Sequence, residues 1–349
     1  MFMTAIVREN ALVESLVRAL PRSSLQRNGV GESDAELVRL AGSDLLLAIT
    51  HDAIVEEIET GLYRDPYLIG WVTVVASASD LAAVGADPVG ILLSQTLPRN
   101  PAPAFLDRLQ QGVRDACTAC GIAVLGGDTN HSDHLHMESS AVGTVPADEA
   151  LLRSGCRPGD RLFASAPLGL GSAYAFEVLM RPELEPTVPF LPVARLREGR
   201  LLRRFATSCM DTSDGALATL DEIMRRSSVG VKLDLAVDDL LHSAARQTAS
   251  TAGLPPWTLL AGPHGEFELV FSIPSDRCTA FLRVASRTGW YPVHLGEARV
   301  LPGLELGPHD GCMSLDTGAI RNLAGNASAD VDRFVENLLK LEGAAYAGA

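Results

Sequence analysis

The stretch IAVLGGDT at residues 122–129 joins an apolar run of strand length to two glycines and an aspartate. Paired glycines let backbone N–H groups approach a ligand closely, which is one way in which proteins hold a phosphate group. Asp128 follows them and offers a carboxylate oxygen, the kind of ligand that Mg²⁺ prefers. We therefore interpret the stretch as a strand followed by a ligand-binding turn, with Gly127 and Asp128 as candidate site residues.

Apolar runs of strand length alternate with longer helix-like stretches on both sides of this motif, which is the pattern of an α/β fold. The predicted strands are 45–50, 89–97 and 122–125, and the predicted helices are 65–86, 103–120, 215–227 and 239–251. The most apolar long stretch, residues 69–86, contains Asp80 and is closed off by Gly85 and Pro88. It predicts a buried helix and not a membrane span.

The length of 349 residues exceeds what one core comfortably holds and suggests two domains. Residues 145–160 read VPADEALLRSGCRPGD, where Pro, Gly and Asp interrupt the periodic pattern. We place the boundary there, with residues 1–147 as the N-terminal domain and residues 148–349 as the C-terminal domain.

The charge balance argues against a nucleic-acid partner, because 43 acidic and 29 basic residues give a net charge of −14 and no Lys/Arg-rich run is present. The N-terminal residues mix Arg8, Glu9 and Glu14 with apolar side chains, which predicts an amphipathic helix and not a signal peptide. We expect a cytoplasmic protein without a membrane partner.

The six cysteines are predicted to be free thiols, because the chain is large and shows no export signal. Cys117 and Cys120 form a CxxC motif inside a predicted helix, without a second such pair to complete a zinc site. Core packing is therefore favoured over metal or redox chemistry for these two residues.

Four further motifs place aspartates beside small or hydroxyl residues at the ends of predicted elements. They are GVGESD at 29–34, THD at 50–52, SD at 79–80 and DTSDG at 211–215. Each alone is more readily explained as a helix cap or a turn. Together they suggest carboxylates gathered round Mg²⁺ that is shared with nucleotide phosphates, because converging aspartates would otherwise repel one another.

Two familiar nucleotide motifs are missing or incomplete. The sequence has no GxxxxGK[ST], so a P-loop is excluded. Residues 169–174, GLGSAY, lack the third glycine of a dinucleotide fingerprint, and we interpret them as the entry to a helix. Any nucleotide site must be built differently.

The motifs GVGESD, ITHDAIV, SDLAAVGADP, LGGDT, RSGCRPGDRLFASAPLG, MDTSDGALATL and GEFELVF follow one another over roughly residues 29–300. In this order they resemble the thiamine-monophosphate kinase family, within the superfamily that includes aminoimidazole ribonucleotide (AIR) synthetase. The resemblance implies an AIR-synthase-like fold of two α/β domains, the first of which also pairs with its copy in a homodimer. It implies ATP and Mg²⁺ as cofactors, bound near the domain and subunit junction.

The resemblance also assigns roles by position in these motifs. It gives magnesium ligation to Asp52, Asp80, Asp128, Asp211 and Asp214, with Thr50 as a weaker ligand, and ATP contacts to Gly127, Asp128, Arg153 and Ser213. Asp128 and Asp214 become the candidate catalytic residues. These roles fit phosphoryl transfer, which needs mainly positioning and neutralisation of phosphate charge.

Departures from the family pattern fall mostly at the substrate end. Ser33 stands at the second acidic position of the first motif, flanked by Glu32 and Asp34, and we take Glu32 as the replacement metal ligand. Glu59 occupies the position of a substrate-contacting histidine, and Glu266 is the nearest acidic group in the altered loop AGPHGEFEL. We treat Glu59 and Glu266 as candidate substrate residues.

The segment RNLAGNASADVDRFV at residues 321–335 offers no counterpart to the C-terminal substrate segment of the family. His51 replaces a threonine beside the metal aspartate, and a hydrogen-bonded ring and a role in the site are equally favoured. His131, His134 and His136 are predicted to be exposed or hydrogen-bonded rather than metal-bound.

Three functions stay open at this point. The first is an ATP-dependent phosphotransferase that acts on a small phosphate or alcohol, with thiamine monophosphate as the nearest precedent. The second is ATP-dependent activation of an amide or carbonyl oxygen for dehydration or cyclisation. The third is a nucleotide-binding homologue without turnover.

Overall fold

A computed structural model of the chain describes residues 5–307, 313–324 and 330–346. The first half contains α1 (Arg8–Arg18), β1 (Glu36–Arg39), β2 (Leu45–Ala53), α2 (Val55–Glu59), α3 (Pro66–Ala83), β3 (Asp87–Pro98), α4 (Pro103–Cys120), β4 (Val124–Ser132) and β5 (His136–Pro146). The second half contains β6 (Arg161–Ala164), α5 (Leu170–Met180), α6 (Leu196–Leu202), β7 (Ser208–Asp211), α7 (Ala216–Ser227), β8 (Gly230–Leu233), α8 (Val237–Leu240), α9 (Ser243–Ala252), a 3₁₀ turn (Pro256–Leu259), β9 (Leu269–Ile273), α10 (Cys278–Arg287), β10 (Val293–Arg299), β11 (Gly303–Leu306), β12 (Met313–Leu315), α11 (Thr317–Ala324) and α12 (Val331–Tyr346). The expected α/β class is confirmed.

The first sheet has five strands in the order β1-β2-β5-β3-β4, in which only β3 and β4 run parallel. Its strands alternate between buried and exposed side chains: Leu46 and Thr50 of β2 are buried, whereas Leu45 and His51 are exposed. The buried face packs against α3. Because side chains alternate along a strand, Asp52 lies on the same inner face as Thr50.

Helix α3 forms the core beneath this sheet. It is capped by Asp65, whose carboxylate accepts a hydrogen bond from the Tyr67 N–H at 3.0 Å. A Cβ on Gly70 would lie 2.1 Å from the backbone oxygen of Leu109, so glycine is what lets α3 and α4 cross closely. The helix is long and apolar enough to cross a membrane, but 83% of it is buried inside the protein. It is a core helix, as the sequence predicts.

The second sheet has seven strands in the order β12-β11-β8-β10-β6-β9-β7. Its core against α10 is aromatic: the rings of Phe163, Phe271, Phe281 and Trp290 lie with centroids 5.6 to 5.8 Å apart. Strand β7 is one of the two edge strands of this sheet, and it contacts α3 of the first half. The carboxyl end of β7 therefore lies where the second sheet adjoins the first half of the chain.

The N-terminal segment packs against the second half of the chain. The Arg8 N–H donates to Asn322 Oδ1 at 2.9 Å, and Asn322 Nδ2 donates to the backbone oxygen of Ile6 at 2.7 Å. The first sheet ends at Pro146 and the second begins at Arg161, so the turn-rich stretch lies between them. The division into residues 1–147 and 148–349 stays a prediction.

The predicted limits of two helices agree closely with the structure, and one predicted helix is wrong. Residues 103–120 coincide with α4, and residues 215–227 differ from α7 by one residue. The single helix predicted over residues 239–251 is wrong, because α8 ends at Leu240 and α9 begins at Ser243. His242 separates them, and its ring nitrogen accepts the Ala244 N–H at 3.2 Å to cap α9.

Candidate active site

Carboxylates from three distant parts of the chain meet where the two sheets adjoin. Asp34 precedes β1, Asp80 lies near the end of α3, and Asp211 ends β7. Each offers one oxygen, and these three oxygens lie within 4.8 Å of one another. Oxygen ligands gathered at such distances suit a hard cation such as Mg²⁺. The group is the candidate metal centre, and we call it the aspartate cluster.

Thr50 and Asp52, at the end of β2, adjoin the aspartate cluster. The Thr50 hydroxyl donates to the Asp80 carboxylate and lies 3.4 Å from the carboxylate of Asp52. Both side chains reach the cluster because the strand alternation puts them on the inner face. Four predicted metal residues, Thr50, Asp52, Asp80 and Asp211, are thus brought together.

The aspartate cluster is electrostatically strained without a cation. Burial, and then the charge of Asp34, raise the pKa of Asp211 to about 6. Burial, and then the charge of Asp211, raise the pKa of Asp52 to about 6. The pKa of Asp80 rises well above its ordinary value through burial and the charges of the neighbouring aspartates. A bound cation would stabilise the ionised form of all of them.

Two of these carboxylates also keep an unused oxygen. Asp34 Oδ2 and Asp211 Oδ2 are buried and have no hydrogen-bond partner among the described residues. A buried polar atom without a partner costs about 1 to 3 kcal/mol, and a bound cation would remove that cost for both oxygens. The donor set therefore fits a divalent cation.

Arg153 links the aspartate cluster to the second half of the chain. Its Nη2 lies 2.9 Å and its Nε 3.3 Å from Asp34 Oδ1. Burial raises the pKa of Asp34, although the Arg153 guanidinium opposes this shift. The ion pair fixes the guanidinium beside the metal centre, where a phosphate would approach.

Asp34, and not Glu32, is the residue of the first motif that reaches the cluster. The Ser33 hydroxyl donates to the backbone oxygen of Ala35 at 2.8 Å, and the Glu32 carboxylate accepts the Gly29 N–H at 2.6 Å. Sequence reasoning missed Asp34 because counting from the glycines puts Ser33 in the acidic position. Only the path of the turn shows that Asp34 points inward.

The DTSDG turn after β7 presents two more predicted residues. Asp211 Oδ1 accepts from the Ser213 N–H at 3.3 Å and from the Ser213 hydroxyl at 2.9 Å. Gly215 has φ of 87°, and a Cβ there would lie 2.0 Å from the backbone oxygen of Gly262, so the turn requires glycine. Ser213 and Asp214 face the space in front of the aspartate cluster.

That space is a cleft of about 900 Å³. The predicted residues that line it are Thr50, Asp52, Glu59, Asp80, Arg153, Ser213 and Asp214. A cleft of this size holds a nucleotide together with a small acceptor.

The GGDT residues lie inside β4, an edge strand, and not in a turn after a strand. Gly127 pairs with Leu93 of β3, and a Cβ on Gly127 would lie 2.0 Å from the Leu93 backbone oxygen. Close strand packing therefore explains Gly127. Through Leu93 and Ser139 it shares a row with Asp52, three strand spacings or roughly 14 Å away.

Asp128 is exposed on the open face of the first sheet, opposite to the face of Asp52. Its carboxylate accepts a hydrogen bond from Asn130 Nδ2 at 2.7 Å. A single chain therefore does not bring Gly127 and Asp128 to the aspartate cluster.

Glu266 also lies away from the cleft. It is buried, and its carboxylate accepts from the Gly171 N–H at 3.1 Å and the Thr212 hydroxyl at 3.3 Å. Burial raises its pKa to about 8. In this position Glu266 supports the DTSDG turn from behind, through Thr212.

Both ends of the described chain contribute cleft residues that sequence reasoning missed. Arg8 and Glu9 of α1 line the cleft, as do Arg321 and Asn322 of α11. Arg321 and Asn322 could not be found by comparison with the family motifs, because the segment at residues 321–335 does not match the family pattern. Part of that segment, residues 325–329, lies outside the described residues.

The histidines and cysteines that the sequence analysis considered lie outside the aspartate cluster. His51 Nδ1 lies 2.9 Å from the Ser140 hydroxyl and its Nε2 lies 3.7 Å from Glu138, so its ring is engaged on the open sheet face. Cys117 and Cys120 are free thiols, as predicted, and burial raises the pKa of both. Among the described residues, the grouping that could hold a metal is the aspartate cluster and not His131, His134 and His136.

Several known proteins are similar to this chain in fold and in sequence. Residues 32–145 match the family described as AIR synthase related protein, N-terminal domain. A solved structure described as AaThiL complexed with AMPPCP and TMP has a TM-score of 0.72 at 22% identity and covers 89% of this chain and 97% of its own. The structure of the thiamine-monophosphate kinase of Stenotrophomonas maltophilia K279a has a TM-score of 0.65 at 26% identity and covers 86% of this chain and 96% of its own. The fold and the matched domain together define an AIR-synthase-related protein.

More particularly, the chain belongs to the thiamine-monophosphate kinase family. It is 31% identical to the thiamine-monophosphate kinase of Halobacterium salinarum over 258 residues. This alignment covers 70% of this chain and 83% of that relative. The Escherichia coli K12 enzyme of the same name is 29% identical over 260 residues, with 70% and 76% covered. The chain is therefore an ATP-dependent kinase.

Proposed function

We propose that this kinase transfers the terminal phosphoryl group of ATP to a small acceptor in the cleft, with thiamine monophosphate as the nearest precedent. The observation that carries the proposal is the aspartate cluster, in which Asp34, Asp80 and Asp211 place three oxygens within 4.8 Å of one another. The relatives are named as kinases, so carbonyl activation and binding without turnover are not favoured.

Asp34, Asp80 and Asp211 would hold Mg²⁺, with Asp52 and Thr50 beside them. The unpartnered buried oxygens of Asp34 and Asp211 support this assignment. When bound, the cation would neutralise charge on the phosphate oxygens, which is most of what catalysis of phosphoryl transfer requires.

Arg153 and Ser213 would contact the nucleotide from the second half of the chain. Arg153 is pre-positioned by its two contacts with Asp34 Oδ1 and lines the cleft. Such a fixed guanidinium binds phosphate oxygens without first losing side-chain freedom. Asp214 lines the cleft beside Ser213 and fits its predicted role next to the reacting phosphate.

A homodimer would explain the position of Gly127 and Asp128. The first sheet leaves large apolar side chains exposed on or beside its open face: Leu45, Val89, Leu92 and Leu125 are each 40% to 53% exposed. Exposed apolar patches of this kind commonly mark interfaces. A second copy on the open face would cover them and bring Asp128 to the subunit junction.

The proposal is tested by incubating the protein with MgATP and thiamine monophosphate and following ADP and thiamine diphosphate. We expect both products in equal amounts. Replacement of Asp34 by Asn should lower the rate by about tenfold or more, because one charged metal ligand is lost. The matched control Glu32→Gln should keep the wild-type rate, because Glu32 only caps its own loop. Absence of both products from folded protein that binds MgATP would remove thiamine monophosphate as the acceptor.

A further inference from the structure

A second cavity, of about 160 Å³, lies between α5, α9 and the loop at residues 181–192, which carries four prolines. Among the described residues, none that lines this cavity also lines the cleft. Its α9 side is formed by Ala244, Gln247, Thr248 and Thr251, which recur at the spacing of one helix face. A helix face turned toward a neighbouring helix is ordinarily apolar, but three of these four side chains are polar. The lining therefore differs from that of a simple packing gap.

The polar side chains at this cavity have hydrogen-bonding groups to spare. Four of them form no side-chain hydrogen bond or ion pair with any other residue that the structure describes: Arg181, Gln247, Thr248 and Thr251. Thr248 is only 6% exposed. Each of the four can donate a hydrogen bond, and leaving a buried donor unpaired costs about 1 to 3 kcal/mol. A ligand with several acceptor atoms would pair these donors.

The charges at the cavity favour an anionic ligand. Glu177 is the one carboxylate among the described residues that line the cavity. Its oxygens already accept from the Thr187 N–H at 2.7 Å, the Thr187 hydroxyl at 2.9 Å and the Val188 N–H at 3.1 Å. Glu177 thus holds the loop in place, and its charge is compensated by these donors. Arg181 is left as the charge that needs a partner, and its planar guanidinium matches the oxygens of a carboxylate or a phosphate.

The backbone on both sides of Arg181 is held in place by Arg64. Arg64 Nη2 donates to the backbone oxygen of Val178 at 3.1 Å, and its Nη1 donates to the backbone oxygen of Pro182 at 2.6 Å. The chain that presents the Arg181 guanidinium is therefore ordered before a ligand arrives. Such pre-organisation lowers the entropy that binding costs.

We infer that the cavity between α5 and α9 binds a small anion whose carboxylate or phosphate head group lies against Arg181, Thr248 and Thr251. The guanidinium supplies the opposite charge, and the hydroxyls and the Gln247 amide supply further donors. An apolar cavity of about 150 Å³ can hold benzene, so a small anion has room here. The inference does not depend on the proposed function, because the site is separate from the cleft.

The test is calorimetric titration with two probes, sodium phosphate and sodium acetate, at constant ionic strength. The cleft of the protein is first filled with MgAMPPCP, so that added anion is directed to other sites. The wild type should bind at least one probe, and the tighter of the two identifies the head group. Arg181→Gln should weaken that binding about tenfold and Thr248→Val about threefold, as expected for one charged and one neutral hydrogen bond.

The matched control is Arg197→Gln, which removes an exposed arginine of α6 that lies outside the cavity. It should keep the wild-type affinity, which separates a local contact from the change in net charge. Thr248→Val should also unfold at the wild-type temperature without a probe, since it breaks no hydrogen bond between described residues. Absence of binding by both probes, unchanged affinity in Arg181→Gln, or an equal loss in Arg197→Gln would overturn the inference.

Discussion

Replacement of Asp211 by Asn tests whether the aspartate cluster is strained without a cation. The amide keeps the shape of the carboxylate and can still accept from Ser213, but it removes a charge on a side chain that is 1% exposed. The pKa of Asp211 is about 6 in the folded protein against an ordinary value of 3.8. A difference of about two units means that ionising Asp211 at neutral pH costs about 3 kcal/mol of stability.

The sign of the pH dependence follows from the raised pKa of Asp211. Its protonated form contributes stability that is fully present below 3.8 and is lost as the pH rises through about 6. The cation-free wild type should therefore lose stability over this range, and Asp211→Asn should lose less. Mg²⁺ should stabilise the wild type more above this range than below it, because it binds the ionised carboxylates.

The assay is thermal unfolding at about pH 5 and about pH 7.5, each with EDTA or with excess MgCl₂. At the higher pH in EDTA, Asp211→Asn should unfold about 5 °C above the wild type. Added MgCl₂ should remove most of this difference by stabilising the wild type. A variant less stable than the wild type in EDTA, or a Mg²⁺ effect equal at both pH values, would refute the reasoning.

Two further predictions concern residues outside the cluster. Although burial opposes it, hydrogen bonds from Arg321 and Asn10 lower the pKa of Glu222 to about 2, so its contribution is present above about 4.5 and is lost as the pH falls toward 2. Glu222→Gln should lower the free energy of unfolding at neutral pH by about 3 kcal/mol in urea titrations, and an unchanged midpoint would contradict this. Asp128→Asn should weaken MgAMPPCP binding without changing the melting temperature, because Asp128 is exposed and accepts only from Asn130 among the described residues. Equal nucleotide affinity in calorimetry would count against the dimer assignment of Asp128.

The sequence predicted best those elements whose pattern is local. The limits of α4 follow from Pro103 at its start and Gly121 after its end, which has φ of 67° as a helix C-cap. The apolar run of α3 was correctly interpreted as a core helix. The helix predicted over residues 239–251 failed because His242 acts as a cap, which apolar periodicity does not reveal.

The sequence predicted which aspartates belong to the site better than it predicted where each of them lies. Asp52, Asp80 and Asp211 come together because each ends or closes a strand or helix at the junction of the two sheets. Asp34 was missed because its inward direction depends on the path of a turn. The edge position of Asp128 depends on strand order, which no local pattern specifies.

The hydrogen bond between the Arg8 N–H and Asn322 joins residues 314 positions apart. During synthesis, α1 must therefore wait for almost the whole chain before it can take its place beside α11. Asp34, Asp80 and Asp211 all emerge from the ribosome before Asn322 does. A nascent chain can thus assemble its aspartate cluster before Arg8 and Arg321 take their places in the lining of the cleft. A cation can therefore bind to the aspartate cluster of a chain whose cleft lining is not yet complete.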